Sequence, residues 1–436
     1  MEKKSYRWIV GVVGLVFLSL SGRANALSFD LRVSDAWGDE NNRGSETMVR
    51  LDDYIYVGLR NRETGAKIYR FRFSDAPSEL NKPVNRNSDR TMENVTPPNR
   101  AFSSTTPAGD RNADIRRLVV YQKRVCAATD RAEVWCFDPA VGVRRGWTKV
   151  SPDWDYSPSS GITDMAVVSR TLYVALGDPI RIKAYYNNEW SDAMNRSGGD
   201  GFGRHRDAGY SARLMEFKGN LLMATGRRNP GGDGTLDTAP QVWLYAGFWR
   251  NMTPEFTTDF VNNPDLRGGI MSRSAGFGDR KNGAIISMKE FKSAKNRPKD
   301  AYVYFGTHNG QGHAQIWRGI WKDDRKEFIG FQNVTPSQSF VPNKTVHAHT
   351  MEVHLNQLYV GTRDGNGGAR IWATAAVRGA DTPIFAEVTK ANGARGQLDE
   401  NTDLVSVLFS ASYNVLYAGT WNRGAPFYLY RTYILP

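Results

Sequence analysis

The chain has 436 residues, a formal net charge of +12, 40% hydrophobic and 12% aromatic residues, 42 glycines and 2 cysteines. That is the composition of an ordinary globular protein. Its basic balance favours anionic partners such as an acidic polysaccharide, a lipopolysaccharide or a membrane surface. No Lys/Arg run or nucleic-acid motif stands out, so nucleic acid is not an expected partner.

At the start, MEKKSYR is a basic stretch and WIVGVVGLVFLSL an apolar one, and Ala24, Asn25 and Ala26 form a small-residue cleavage site. Together they predict a secretory signal peptide over 1–26, with the mature protein at 27–436 as a single domain. The apolar stretch falls short of the about 20 residues that a membrane-spanning helix needs, so no anchor is expected after cleavage. The expected location is periplasmic or secreted.

From there the chain repeats itself. YVGLRNRETGAKIYRF (56–71) returns as YVYFGTHNGQGHAQIWRG (302–319), LYVGTRDGNGGARIWAT (358–374) and LYAGTWNRGAPFYLYRT (416–432). Looser copies begin at 125, 172 and 221, giving seven in all. Each copy opens with a short alternating stretch, such as TMVRL or TMEVHL. A strand of the LYVGT type, a Gly/Asn/Asp turn and a strand of the ARIWR type follow, a pattern of hairpins. Fourth segments come next: MENVTP (92–97), WTKVSP (147–152), WSDAM (190–194), WRNMTP (249–254), FQNVTP (331–336) and FAEVTK (385–390). The missing fourth strand is available as SFDLRVSD (28–35), directly after the cleavage site.

Repeated four-stranded sheets arranged around an axis make a β-propeller. The expected fold is therefore all-β: a seven-bladed β-propeller of four-stranded antiparallel blades, the last closed by the N-terminal strand. Tyr69, Trp243, Trp317 and Trp372 on the third strands are expected to pack between sheets. Gly58, Gly306, Gly361 and Gly419 are expected where the backbone turns or approaches a neighbour. Cys126 and Cys136 flank one hairpin, and an exported protein suits a disulfide between them. The chain resembles the secreted seven-bladed propellers of bacteria over nearly all of its mature length. The resemblance is one of architecture, because neither the Asp-box of sialidase-like propellers nor the WD40 signature is present.

One face of such a propeller carries the loops entering first strands and those joining second to third. Long insertions fall there, at 195–210, 227–240 and 262–283. Five of the six histidines lie between 308 and 354. His308, His313, His347 and His349 are assigned to this face as candidate ligands of a divalent metal, with His347 and His349 as candidate acid–base groups. Their spacing matches no known zinc motif, and no cofactor is evident. Arg60, Arg227, Arg228, Arg363, Asp364 and Trp421, with His308 and His313, are candidate ligand contacts, since Arg and Trp suit carboxylated or sugar ligands. Asp114, Asp164 and Asp403 recur at first-strand starts and are expected to tie blade to blade by bonding backbone amides.

With no nucleophile elbow, phosphate loop or dinucleotide fingerprint, the leading expectation is a monomeric recognition module. Its ligand would be an anionic glycan, an envelope component or a partner protein. The alternatives are a polysaccharide lyase or hydrolase using the histidines, and a structural subunit of a cell-envelope assembly.

Overall fold

The computed structural model describes residues 28–33, 36–73, 92–99, 102–103, 105, 111–154, 161–177, 179–194, 211–227, 239–253, 260–262, 270–272, 274–291, 300–309, 314–335, 345–364, 368–374, 383, 385–389, 398, 402–412 and 414–433. The signal peptide at 1–26 and the insertion at 195–210 lie outside them. So do Arg228 and His313, and the side chain of Asp364.

After β1 (Ser28–Val33), the strands come in antiparallel groups. The first holds β2 (Gly44–Leu51), β3 (Tyr54–Arg60), β4 (Lys67–Arg72) and β5 (Glu93–Asn94). The next is β6 (Ile115–Tyr121), β7 (Arg124–Thr129), β8 (Val134–Phe137) and β9 (Trp147–Lys149). Then come β10 (Ile162–Val168), β11 (Thr171–Leu176), β12 (Arg181–Tyr186) and β13 (Glu189–Met194). A fourth group is β14 (Ser211–Phe217), β15 (Asn220–Gly226), β16 (Val242–Tyr245) and β17 (Trp249–Asn251). The hairpin of β18 (Phe260–Asn262) and β19 (Ile270–Ser272) precedes β20 (Asn282–Glu290), β21 (Asp300–Asn309), β22 (Ile316–Lys322) and β23 (Glu327–Asn333). Last are β24 (Thr345–His354), β25 (Gln357–Asp364), β26 (Ile371–Thr374) and β27 (Phe385–Glu387), then β28 (Leu404–Ser412), β29 (Val415–Trp421) and β30 (Leu429–Tyr433). β30 takes its outer partner from the start of the chain, because β1 pairs with it, Phe29 opposite Thr432. The fold is all-β and propeller-like.

The hairpin β18–β19 was not expected. It falls around and within what the sequence suggested was a long loop, and β19 pairs with β23, extending that sheet outward. An outer strand offers unpaired backbone groups, and a short hairpin satisfies them.

The recurring fourth segment has a physical cause. Thr96, Ser151, Thr253, Thr335 and Thr389 each accept a hydrogen bond from the first amide of the adjacent third strand, or from the amide just before or after it, at 2.8–3.0 Å. Asn94, Asn251 and Asn333, two residues earlier in the NVTP-type segments, accept from the Thr amides and hold the turn. The aromatic at the start of the segment joins neighbouring sheets. Trp147 donates to the Val95 carbonyl, Trp190 to Val150 and Trp249 to Ala193, at 2.6–2.9 Å. The third-strand aromatics Tyr69, Trp243, Trp317 and Trp372 are buried.

The first strands β2, β6, β10, β14, β20, β24 and β28 each pack against the next, and β28 also packs against β2. Side chains tie them together. Thr47 accepts from the Leu118 amide at 2.7 Å, Asp164 from Leu214 at 2.8 Å and Thr350 from Leu408 at 3.3 Å. Ser287 donates to the Ala348 carbonyl at 2.7 Å, and Ser406 donates to that of Ser45. Of the three acids expected to join blades, Asp164 does so through a backbone amide. Asp403 instead accepts from Arg423 of its own sheet, and Asp114 makes ion pairs.

The glycines lie within the second strands, where the next sheet comes closest. A β-carbon at Gly58 would sit 2.5 Å from Ile115, at Gly306 2.3 Å from the Ala348 carbonyl, and at Gly361 2.7 Å from Val405. Cys126 and Cys136 are directly opposed on β7 and β8 and form a disulfide. Replacing Gly361 with Val forces side-chain volume between two sheets, which should cost about 1–3 kcal/mol. Urea unfolding should show a lowered midpoint, and an unchanged midpoint would contradict this packing.

Candidate functional site

The first strands surround a cavity of about 630 Å³. At the end where they begin, a bulge interrupts each of β2, β6 and β24, at Glu46, Arg116 and His349. A bulge leaves one residue outside the ladder and re-aims its side chain. Glu46 and His349 line the cavity with Arg117, Asp164 and Arg213.

The charges at this mouth are interlocked. Arg116 lies 3.5 Å from Glu46 and 3.1 Å from Asp114, and Arg60 lies 3.8 Å from Asp114. Burial alone would raise the Glu46 carboxyl, yet Arg116, Arg213, His349 and Arg60 hold it below its ordinary value. Burial pushes the Asp114 carboxyl up, against the pull of Arg116.

Three of the four histidines expected on this face come together. His308 on β21 is the bridge partner of His347 on β24, with ring centroids 4.0 Å apart, and His347 and His349 are 5.8 Å apart. Burial pushes His308 and His349 down to about 4, with Arg363 adding to the shift at both. Burial holds His347 well below its ordinary value, with His308, His349 and Arg363 adding to the shift. All three imidazoles are neutral at pH 7. The Nδ1 atoms of His347 and His349 are buried and have no hydrogen-bond partner among the described residues. No group of three or more His, Cys, Asp or Glu among the described residues is arranged to hold a metal ion. Arg227, expected at a loop tip, is 4% exposed and donates to the Arg280 carbonyl at 3.0 Å. Its charge lies near His308, so it shapes the cluster from inside.

Beside the histidines is an arginine-rich cavity of about 220 Å³, lined by Asn41, Arg43, Arg60, Arg62, Glu63, Trp421, Asn422 and Arg423. Three guanidinium groups stand around the Trp421 ring: Arg60 at 5.5 Å, with Arg363 and Arg423 at 5.9 Å. Burial lowers Arg363, as does the like charge of Arg423. Trp421 is fixed from behind, since a β-carbon at Gly44 would meet its ring at 2.3 Å. Asn61 braces the rim by donating to Asp39 at 2.8 Å and Asn42 at 2.9 Å. Arg60, Arg363 and Trp421 were legible as loop-tip residues, whereas Arg43, Arg62 and Arg423 were missed. Only their place beside the strand ends, once the register is known, would have marked them.

No protein-family model matches the chain, and no curated protein matches it. Among solved structures it is similar to the extracellular domain of a hybrid two-component system from B. thetaiotaomicron. The TM-score is 0.52 at 10% identity, covering 92% of this chain and 39% of that one. A second structure of that same extracellular domain, named there as part of a one-component system, gives 0.52 at 11% identity, with the same coverage of 92% and 39%. The WD40 propeller domain of Doa1 aligns with a TM-score of 0.47 at 8% identity, over 93% of this chain and 97% of that one. The chain thus spans well under half the length of the two extracellular structures, and the likeness is one of fold. Among the described residues, no helix is long and apolar enough to cross a membrane.

The histidines make stability depend on pH. Their ordinary value is 6.5, while His308 and His349 stay neutral in the folded protein down to about 4. The unfolded chain therefore binds more protons between those values, and stability intact above pH 6.5 is lost as pH falls. The slope is up to about 1.4 kcal/mol per pH unit for each histidine. Asp114 is raised and works in the opposite direction, so the comparison is with a His308→Gln/His349→Gln variant. Unfolding midpoints from pH 7 to 4 should fall less steeply in the variant, and parallel curves would contradict the assignment.

Proposed function

We propose that this protein is an exported recognition module whose arginine-rich face binds an anionic ligand, foremost an acidic glycan or envelope polymer and otherwise a partner protein. The observation that carries this reading is the set of Arg43, Arg60, Arg62 and Arg423 around one cavity, with Trp421 in its wall. Guanidinium forks match carboxylates, and an indole face stacks on a sugar ring. In this reading residues 27–436 follow a signal peptide at 1–26 and form a seven-bladed propeller closed by β1 on the last blade. The pairing of β1 with β30 and the packing of β28 against β2 support that arrangement. The B. thetaiotaomicron structures are named as extracellular domains of one- and two-component systems, a setting that suits a ligand-receiving role outside the cell.

A second reading rests on the neutral, closely packed His308 and His347 beside His349, Glu46 and Arg213. A neutral imidazole can accept a proton from a sugar carbon acidified by its carboxylate, which is the chemistry of a polyuronate lyase.

Binding to an array of uronate-containing glycans should weaken about tenfold in each of Arg60→Ala and Arg423→Ala, the loss expected for one charged hydrogen bond. It should also fall with added salt. Binding that neither variant nor salt alters would overturn the recognition reading. For the lyase, unsaturated product from polyuronates should appear with the wild type and vanish in His349→Ala. Absence of product from the wild type rejects it.

A further inference from the structure

Among the described residues, three large hydrophobic side chains stand exposed: Val141 at 56%, Tyr186 at 46% and Phe248 at 63%. All three occupy the same place in consecutive repeats. Val141 lies in the turn from β8 to β9, Tyr186 at the turn from β12 to β13 and Phe248 in the turn from β16 to β17. In an antiparallel meander alternate turns share one end. These turns therefore lie at the end away from Arg60 and Trp421, which terminate second strands.

Cations accompany them. Arg144 and Arg145 share the turn of Val141, and the Arg250 guanidinium is 5.9 Å from the Phe248 ring. Lys123 and Arg170 are exposed in the turns between first and second strands, at the same end. Against them stand the exposed Glu189 and Glu216.

We propose that this end docks on an anionic lipid surface, with Val141, Tyr186 and Phe248 entering the interfacial region and the basic side chains meeting lipid phosphates. Apolar and aromatic tips flanked by Lys and Arg suit the headgroup boundary, where rings sit half in the acyl layer and cations stay outside. The shape of the surface favours lipid over protein. The tips project from separate sheets, and a fluid bilayer fills the gaps between them, whereas a rigid partner needs a continuous complementary patch. The arginine-rich cavity then faces away from the bilayer.

The test is co-sedimentation of the mature chain with vesicles of phosphatidylcholine alone or mixed with phosphatidylglycerol. Binding to the mixed vesicles is expected. It should weaken about tenfold or more in Tyr186→Ser/Phe248→Ser, the loss expected from two withdrawn side chains, and also in Arg144→Glu/Arg145→Glu. Circular dichroism and unfolding midpoints should be unchanged in both variants, because these side chains sit on exposed turns. No binding to the mixed vesicles overturns the proposal, and so does binding that both variants retain. Crosslinking of these turns to an envelope protein without vesicle binding also overturns it, in favour of a protein partner. Binding of anionic ligand at Arg60 and Arg423 should be the same in both variants, so the two sites are tested separately.

Discussion

The closeness of adjacent first strands is the constraint on which the rest of this structure depends. Each second strand also comes against the first strand of the next sheet, with too little room there for an ordinary side chain. The chain meets this with glycine at the closest approach, as at Gly58, Gly306, Gly361 and Gly419. Short hydroxyl or carboxylate side chains then join one sheet to the next. Each such bond is worth about 1 kcal/mol, and its loss would leave a buried amide or carbonyl unpaired, which costs more. The outer edges are held by a different device, the indole donors of Trp147, Trp190 and Trp249.

The same crowding builds the candidate site. Where β2, β6 and β24 begin, a bulge takes Glu46, Arg116 and His349 out of the ladder. Buried charge is costly unless it is compensated, and here it is shared among Arg116, Glu46, Asp114 and Arg60. Among the described residues, His308, His347 and His349 have no carboxylate at hydrogen-bond distance, and burial keeps them neutral. A charged rim on the first two sheets and a cluster of neutral imidazoles on β21 and β24 thus lie at the same end of the molecule.

The two ends of the molecule differ in kind. One holds paired charges, an indole and enclosed volume, and suits a small or chain-like anionic ligand. The other carries short turns with exposed apolar tips and unenclosed cations, which suits an extended surface. With the arginine-rich end directed away from a bilayer, a polymer in the surrounding space could reach it without displacing the protein from lipid. That division follows from the meander itself, which sends every second turn to the same end.

Much of this was written in the sequence. The repeated LYVGT and ARIWR strands, the Gly/Asn turns and the NVTP-type segments are local patterns, because period-two burial and Asx turns act over a few residues. They determined the all-β, propeller-like fold, the buried third-strand aromatics and the opposition of Cys126 and Cys136. The loop-tip placement of Arg60, Arg363 and Trp421 was legible for the same reason. The grouping of residues was not. Arg43, Arg60 and Arg62 meet Trp421 and Arg423 only because the first and last sheets are neighbours, a relation that no local spacing expresses. Bulges depend on pairing register, so the inward turn of Glu46 and His349 was invisible as well. Arg227 looked like a tip residue yet is buried against Arg280. The sequence by itself decided which strands of the repeat exist and which of their aromatics are buried, since those are properties of short segments, but it did not show the β18–β19 hairpin. Which charges share a cavity was left to the tertiary structure, because Coulomb and burial energies depend on distance in space rather than along the chain.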